Sequence, residues 1–150
     1  MERYYTPAPM AAQKGLRLNN LTIAGIIGAA GLVIQIIIGF MLAGSGDVTG
    51  SMLVYPHMLI GISGIALVAF LVAAIFLMPS SMIARLVYAA AFLLTFAQVA
   101  LGFRILSTPD DMLTMAHQGL AIVILVLLAL GGMLSARSRR KMMAAAAKPA

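Results

Sequence analysis

Apolar residues fill four long stretches of this chain with almost no alternation, and short polar breaks divide them. A bilayer crossing takes ~20 consecutive helical residues. The runs predict four helices of that kind, at Asn20–Gly44, Val54–Met78, Met82–Leu106 and Met112–Leu134. The breaks "GSGDVTGS", "PSS" and "STPDD" carry the Gly, Ser, Pro and Asp that turn a chain. Barrel strands are excluded, because they need short segments of alternating hydrophobicity. The first run follows a polar leader and is too long for a cleavable signal peptide, so it stays in the bundle. The expected organisation is a polar leader over 1–19, a membrane bundle over 20–134 and a basic tail over 135–150. The fold class is all-α: an integral membrane four-helix bundle.

Composition agrees with this. Of 150 residues, 63% are apolar and 9% charged, which is too little charge to cover a water-soluble surface. Cysteine is absent, so disulfides, iron–sulfur clusters and thiol catalysis are excluded for this sequence. The net charge of +6 reads at first as a nucleic-acid signal. Its distribution gives another account. Arg3, Lys14 and Arg17 precede the first helix, Arg85 lies near the second break, and Arg137, Arg139, Arg140, Lys141 and Lys148 follow the last helix. The first and third breaks carry Asp47, Asp110 and Asp111 instead. Lys and Arg collect on the cytoplasmic side of membrane proteins. Both termini are therefore expected in the cytoplasm of a multi-pass protein of the cell membrane. The run "RSRRK" reads as a topology anchor against lipid headgroups, with no nucleic-acid partner. The segment "MMAAAAKPA" after Lys141 carries no readable chemistry and is expected to be disordered.

The hexapeptide frame Gln-x-x-x-Gly-Phe occurs twice, as "QIIIGF" from Gln35 and "QVALGF" from Gln98. Each copy is followed by a polar break, then a histidine near the start of the next helix, then a small residue four positions later. These are His57 with Gly61, and His117 with Ala121. The shorter break in the second half accounts for its closer spacing. The chain thus reads as two helical hairpins of the same orientation, a parallel repeat about an axis along the membrane normal. Helical periodicity places Gln35 and Gly39 on one face, extended by Gly28 and Gly31. Thr95, Gln98 and Gly102 share the matching face of the third helix. His57, Gly61 and Gly64 line one side of the second, and His117, Ala121 and Ile124 one side of the fourth. Polar and small residues are expected inside, with the bulky aliphatics toward lipid.

Depth follows from the helical rise. Each histidine lies ~5–8 Å below the outer surface, the glycines at the same depth, and the glutamines one turn, ~6 Å, deeper. Ionisable side chains inside a membrane are rare and mark a site. Two imidazoles facing across a core can ligate one metal, but a naked ion needs more ligands and the acids lie in the loops. A haem iron needs only the two axial ligands, and bundle cores are where such groups are held. A b-type, bis-histidine haem between His57 and His117 is therefore the expected cofactor. Gly39, Gly102, Gly61 and Ala121 remove bulk beside it. Arg104 either pairs with a propionate or extends to headgroups. Gln35 and Gln98 either contact the cofactor or bond helices together. Met58 and Met115 stand near the histidines, but methionines scattered through apolar sequence are chiefly packing residues. Tyr88 reads as an aromatic of the membrane interface.

The stretch "QVALGFRILSTPDDMLTMAHQGLAIVILVLLAL" resembles the Gln-x-x-Leu-Gly, loop, His-x-x-x-Ala hairpin of the haem A synthase family. The stretch "QIIIGFMLAGSGDVTGSMLVYPHMLIG" follows the same plan. The resemblance covers residues 20–134 and is to one four-helix half of the usual eight-span protein, the compact form of the family. It implies an integral membrane oxidoreductase that oxidises the C8 methyl of haem O to the formyl of haem A, for terminal oxidase assembly. It also implies axial ligation by His57 and His117, and a homodimer that restores eight spans. The family usually has a Glu before the first-half histidine and an Arg after it, where "SMLVYPHML" has neither. Asp111, six residues before His117, is the acid nearest such a place. Two other functions stay open on the residues alone. One is a b-type cytochrome that carries electrons as a subunit of a respiratory complex, its electron donor unassigned. The other is a haem-free membrane assembly or scaffold subunit whose histidines only bond helices.

Overall fold

The computed structural model describes residues 14–47, 49–77 and 80–146, and these form four helices. They are α1 (Lys14–Gly44), α2 (Val54–Leu77), α3 (Met82–Ser107) and α4 (Asp111–Ala146). All four are long and apolar enough to cross a membrane. Each packs beside its neighbours in sequence, and α4 closes against α1. The result is a ring of four antiparallel neighbours, in which α1 faces α3 and α2 faces α4 across the middle.

Local chemistry sets the ends. After α1 the chain reverses through Gly46, whose φ of 72° is the left-handed conformation that glycine adopts without strain. Asp47 then accepts a bond from the Gly50 amide at 2.9 Å, which ties the turn. Ser81 caps α3 by accepting from the Ala84 amide at 3.2 Å, and Asp110 does the same for α4 through the Leu113 amide at 2.8 Å.

Helix bounds match the expected ones except at two ends. α1 begins at Lys14, inside the expected leader, and α4 runs on to Ala146. The basic run 137–141 is thus on the same helix as His117, and the segment after Lys141 stays helical through Ala146. The reason is composition: nothing from Leu134 to Ala146 breaks a helix, and Ala, Met, Arg and Lys are all strong formers. The rest of the leader, with Arg3, and the last residues, with Lys148, lie outside the described residues.

The core is made of small side chains. Ala84 and Ala91 are fully buried, and Tyr88 and Thr95 nearly so, all on one face of α3. Opposite them, Gly131 leaves room for the Tyr88 ring. A Cβ there would meet Tyr88 Cε2 at 2.8 Å. Large aliphatics and aromatics such as Leu59, Phe70, Leu93 and Val126 face outward, as contact with lipid requires. No large side chain is fully buried among the described residues. The bundle is close-packed along α3 and α4 but open along its axis.

The Tyr88–Gly131 contact sets an expectation for stability. Gly131→Leu forces the ring and the helix apart, an overpacking cost of ~1–3 kcal/mol. Thermal unfolding in detergent should show a lowered midpoint for this variant. Gly119→Leu, where an added Cβ meets nothing within 4 Å, should unfold as the parent does. Equal midpoints for the two variants would show that the contact is unimportant.

Candidate functional site

The open axis is a cavity of about 550 Å³ that runs most of the length of the bundle. That is within the range of sites that enclose small molecules and cofactors, ~300–1,000 Å³. Its wall contains Gln35, Gly39, His57, Gly61, Gln98, Gly102, His117 and Ala121. Gly28, Gly31, Gly64, Thr95 and Ile124 line it as well. The face on each helix that periodicity marked as polar and small is the face that meets the cavity.

Two imidazoles dominate the end nearer the acidic loops. His57 comes from the first turn of α2 and His117 from the second turn of α4, helices that face each other across the ring. Their ring centroids are 6.1 Å apart and the planes are tilted by 57°. Each ring lies on a glycine of the preceding helix. A Cβ on Gly39 would be 3.1 Å from Cε1 of His57, and one on Gly102 would be 3.3 Å from Cε1 of His117. Glycine at these two positions allows each imidazole to lie against the helix backbone. The contact brings His57 within hydrogen-bonding reach of the Gln35 backbone carbonyl, and His117 within reach of that of Gln98. In both rings Nδ1 is buried and has no partner.

One turn further along the cavity, the same pairing recurs with amides. The Gln35 side chain lies where a Cβ on Gly61 would come 2.9 Å from Nε2. Ala121 is the position in the second half that corresponds to Gly61, and it is buried and lines the cavity with Gln98. The side-chain oxygens of Gln35 and Gln98 are both buried without partners. Thr95 gives its hydroxyl proton to the Ala91 carbonyl at 2.8 Å, so it is satisfied within its own helix.

The remaining expected residues divide. Met58 lines the cavity, whereas Met115 is 72% exposed and faces away from it. Arg104 is exposed near the end of α3 and does not line the cavity. Asp111 is exposed in the first turn of α4. It lines a separate, more polar hollow between the two loops, with Asp47, Thr49 and Asp110. Tyr88 is buried on the glycines of α4 and reaches the cavity, which is a core position. Two polar wall residues, Thr114 and Gln118, carried no mark in the sequence reading, and Arg139, at the far end, was read only as part of the basic tail. Gln118 and Thr114 flank His117 in sequence, and helical spacing alone could have placed Thr114 on its face.

The arrangement suits one task in particular. A metal held at ~2.0–2.1 Å by one nitrogen of each ring sets the ring centres ~6.3 Å apart when the two bonds are in line. The observed separation is close to that. No cluster of three or more His, Cys, Asp or Glu stands ready for a bare ion among the described residues. A group that brings its own equatorial ligands fits this donor set, and the buried free nitrogens are what such a group would use. No family model, curated protein or solved structure matches the chain.

The glycine contact can be tested without any cofactor. Gly102→Leu should displace the His117 ring and shift its imidazole resonances in a histidine-labelled sample. Gly119→Leu, on an open face, should leave them in place. An unmoved His117 signal in the first variant would show that the ring does not rest on Gly102.

Proposed function

We propose that this chain is an integral membrane haem protein and an oxidoreductase of the haem A synthase kind. In this reading the four helices cross the cell membrane and both termini lie in the cytoplasm. The two hairpins are a parallel repeat, and the histidine layer lies just below the extracytoplasmic surface. The observation that carries the reading is the pair of imidazoles, 6.1 Å apart across a glycine-lined cavity and each with a buried, unengaged nitrogen.

His57 and His117 would hold the iron from opposite sides of the bundle. Bound there, the haem would supply one-electron redox chemistry. The protein's part is positional. The backbone carbonyls of Gln35 and Gln98, within reach of the two rings, would orient them and set the tautomer, leaving the buried free nitrogen to face the iron. Gly39 and Gly102 keep the rings close to their helices, so the centre of the bundle stays open for a flat macrocycle. The apolar wall below excludes water and gives hydrocarbon substituents a place to lie. The resemblance of both hairpins to haem A synthase names the reaction, oxidation of the C8 methyl of haem O to the formyl of haem A. It also names the assembly, a homodimer.

A second reading has its own support. Among the described residues no carboxylate lines the cavity, and Asp111 lies in the other hollow. A chain that holds haem with no acid beside it suits electron transfer in a respiratory complex, as a b-type cytochrome.

Two measurements separate the readings. The purified protein, from a host that makes haem, should give a low-spin reduced-minus-oxidised spectrum. His57→Ala and His117→Ala should each lose it, because one imidazole leaves an axial position open. Parent-like spectra in both variants would end the haem reading and leave a membrane scaffold. Co-expression with a source of haem O then distinguishes the chemistry. Haem A in the extracted pigment means a synthase, and unchanged haem means a cytochrome.

A further inference from the structure

The cavity has a second polar place, at the end away from the histidines. Tyr88 lies about four helical turns along α3 from Gly102, ~21 Å at the helical rise. Its ring rests on Gly131 and its hydroxyl lies 3.7 Å from where a Cβ on Gly132 would be. The residue is 8% exposed, so a phenol stands almost wholly inside the bundle. Two turns further on α4 is Arg139, half-buried, lining the same cavity and electrostatically coupled to Tyr88.

This guanidinium differs from the other cations of that end. Arg85 gives a proton to Ser80 at 3.2 Å and lies over the Phe76 ring, so it is occupied at the α2–α3 turn. Arg137, Arg140 and Lys141 do not line the cavity. The acids among the described residues, Asp47, Asp110 and Asp111, are all in the loops of the opposite end. Arg139 therefore has no carboxylate to pair with among the described residues. A cation half-withdrawn from water, on the same cavity wall as a buried phenol, presents N–H and O–H donors and no negative charge. It fits an oxygen-rich anion. Arg137, Arg140 and Lys141 close by raise the local potential for the same sign of ligand.

We infer that Arg139 and Tyr88 form the head-group site for one anionic phospholipid, whose acyl chain enters the near end of the central cavity. Basic recesses between membrane helices on the cytoplasmic side are where phosphate head groups bind. The apolar lining next to them, including Leu71, Ala74 and Leu128, suits the chain that a free phosphate lacks. The inference rests on the reading that the helices cross a bilayer. It does not depend on haem, since the histidine layer is at the other end.

Native mass spectrometry of the detergent-purified protein tests this, with phosphatidylglycerol and phosphatidylcholine of identical chains. One phosphatidylglycerol should bind about fivefold or more tighter than phosphatidylcholine, and Arg139→Gln should remove most of that preference. Tyr88→Phe should weaken it less, and Arg139→Lys should keep part of it. Arg140→Gln, a change on the same helix outside the cavity, should leave binding within about twofold. Equal binding of the two lipids would overturn the site, as would an equal loss in Arg139→Gln and Arg140→Gln. Competition by millimolar inorganic phosphate should fail, and success would assign the site to a free anion instead. His57→Ala should bind the lipid as the parent does. A chain that binds lipid but never haem refutes the proposed function alone, and one that binds haem without lipid preference refutes this inference alone.

Discussion

An imidazole inside an apolar bundle has two nitrogens to satisfy, and in this chain each ring leaves at least one unsatisfied. His57 and His117 both leave Nδ1 buried and alone. A buried polar atom without a partner costs ~1–3 kcal/mol. Two such atoms at matching places, with two unpaired amide oxygens one turn below, amount to a repeated deficit in one layer. A ligand with matching groups would compensate a deficit of that kind, which is the physical ground of the proposed site. The open axis is the same deficit in apolar terms, since the cavity wall has lost the contacts that a filled core would supply.

The glycines make the layer possible. With any larger residue at Gly39 or Gly102, the rings would be held off their helices and would fill the centre themselves. Gly61 does the same for the Gln35 amide one turn along. At the other end Gly131 admits the Tyr88 ring, which packs α3 closely on α4. The axis narrows there without closing, since Tyr88, Gly132 and Arg139 all line the cavity.

Much of this was legible in the sequence. Four uninterrupted apolar runs and three turn-forming breaks fixed the helices to within a residue or two at six of eight ends. The twice-written Gln-x-x-x-Gly frame and its following histidine placed eight side chains on one cavity, because helical periodicity is strict and the breaks are short. The exceptions have physical causes. The ends of α1 and α4 overran the expected limits because hydropathy marks where oil stops, whereas a helix continues until something breaks it. Tyr88 was expected at an interface because aromatics gather there, and only the facing Gly131 and Gly132 make it a core residue. Arg139 reads in the sequence as one of a basic cluster. Nothing in "RSRRK" shows which of its four cations lines the cavity.

The position of the acids decides how far the chemistry can be taken. In the proposed reading, oxidation of a porphyrin methyl would need a group that accepts protons beside the macrocycle, and within the cavity the described residues offer amides, hydroxyls and the two imidazoles that would themselves hold the iron. Asp111 is the nearest carboxylate in sequence, yet it is exposed and looks into the hollow between the loops with Asp47 and Asp110. For Asp111 to serve the cavity, the start of α4 would have to turn, and Asp110 holds that start through its bonds to the Leu113 and Thr114 amides. Under the haem reading, either the loop hollow would feed protons along Thr114 and Gln118, both of which line the cavity beside His117, or a haem held there would only pass electrons. Asp111→Asn tells these apart. In the first case it lowers haem A formation while low-spin haem remains, and in the second it changes neither the bound pigment nor its spectrum.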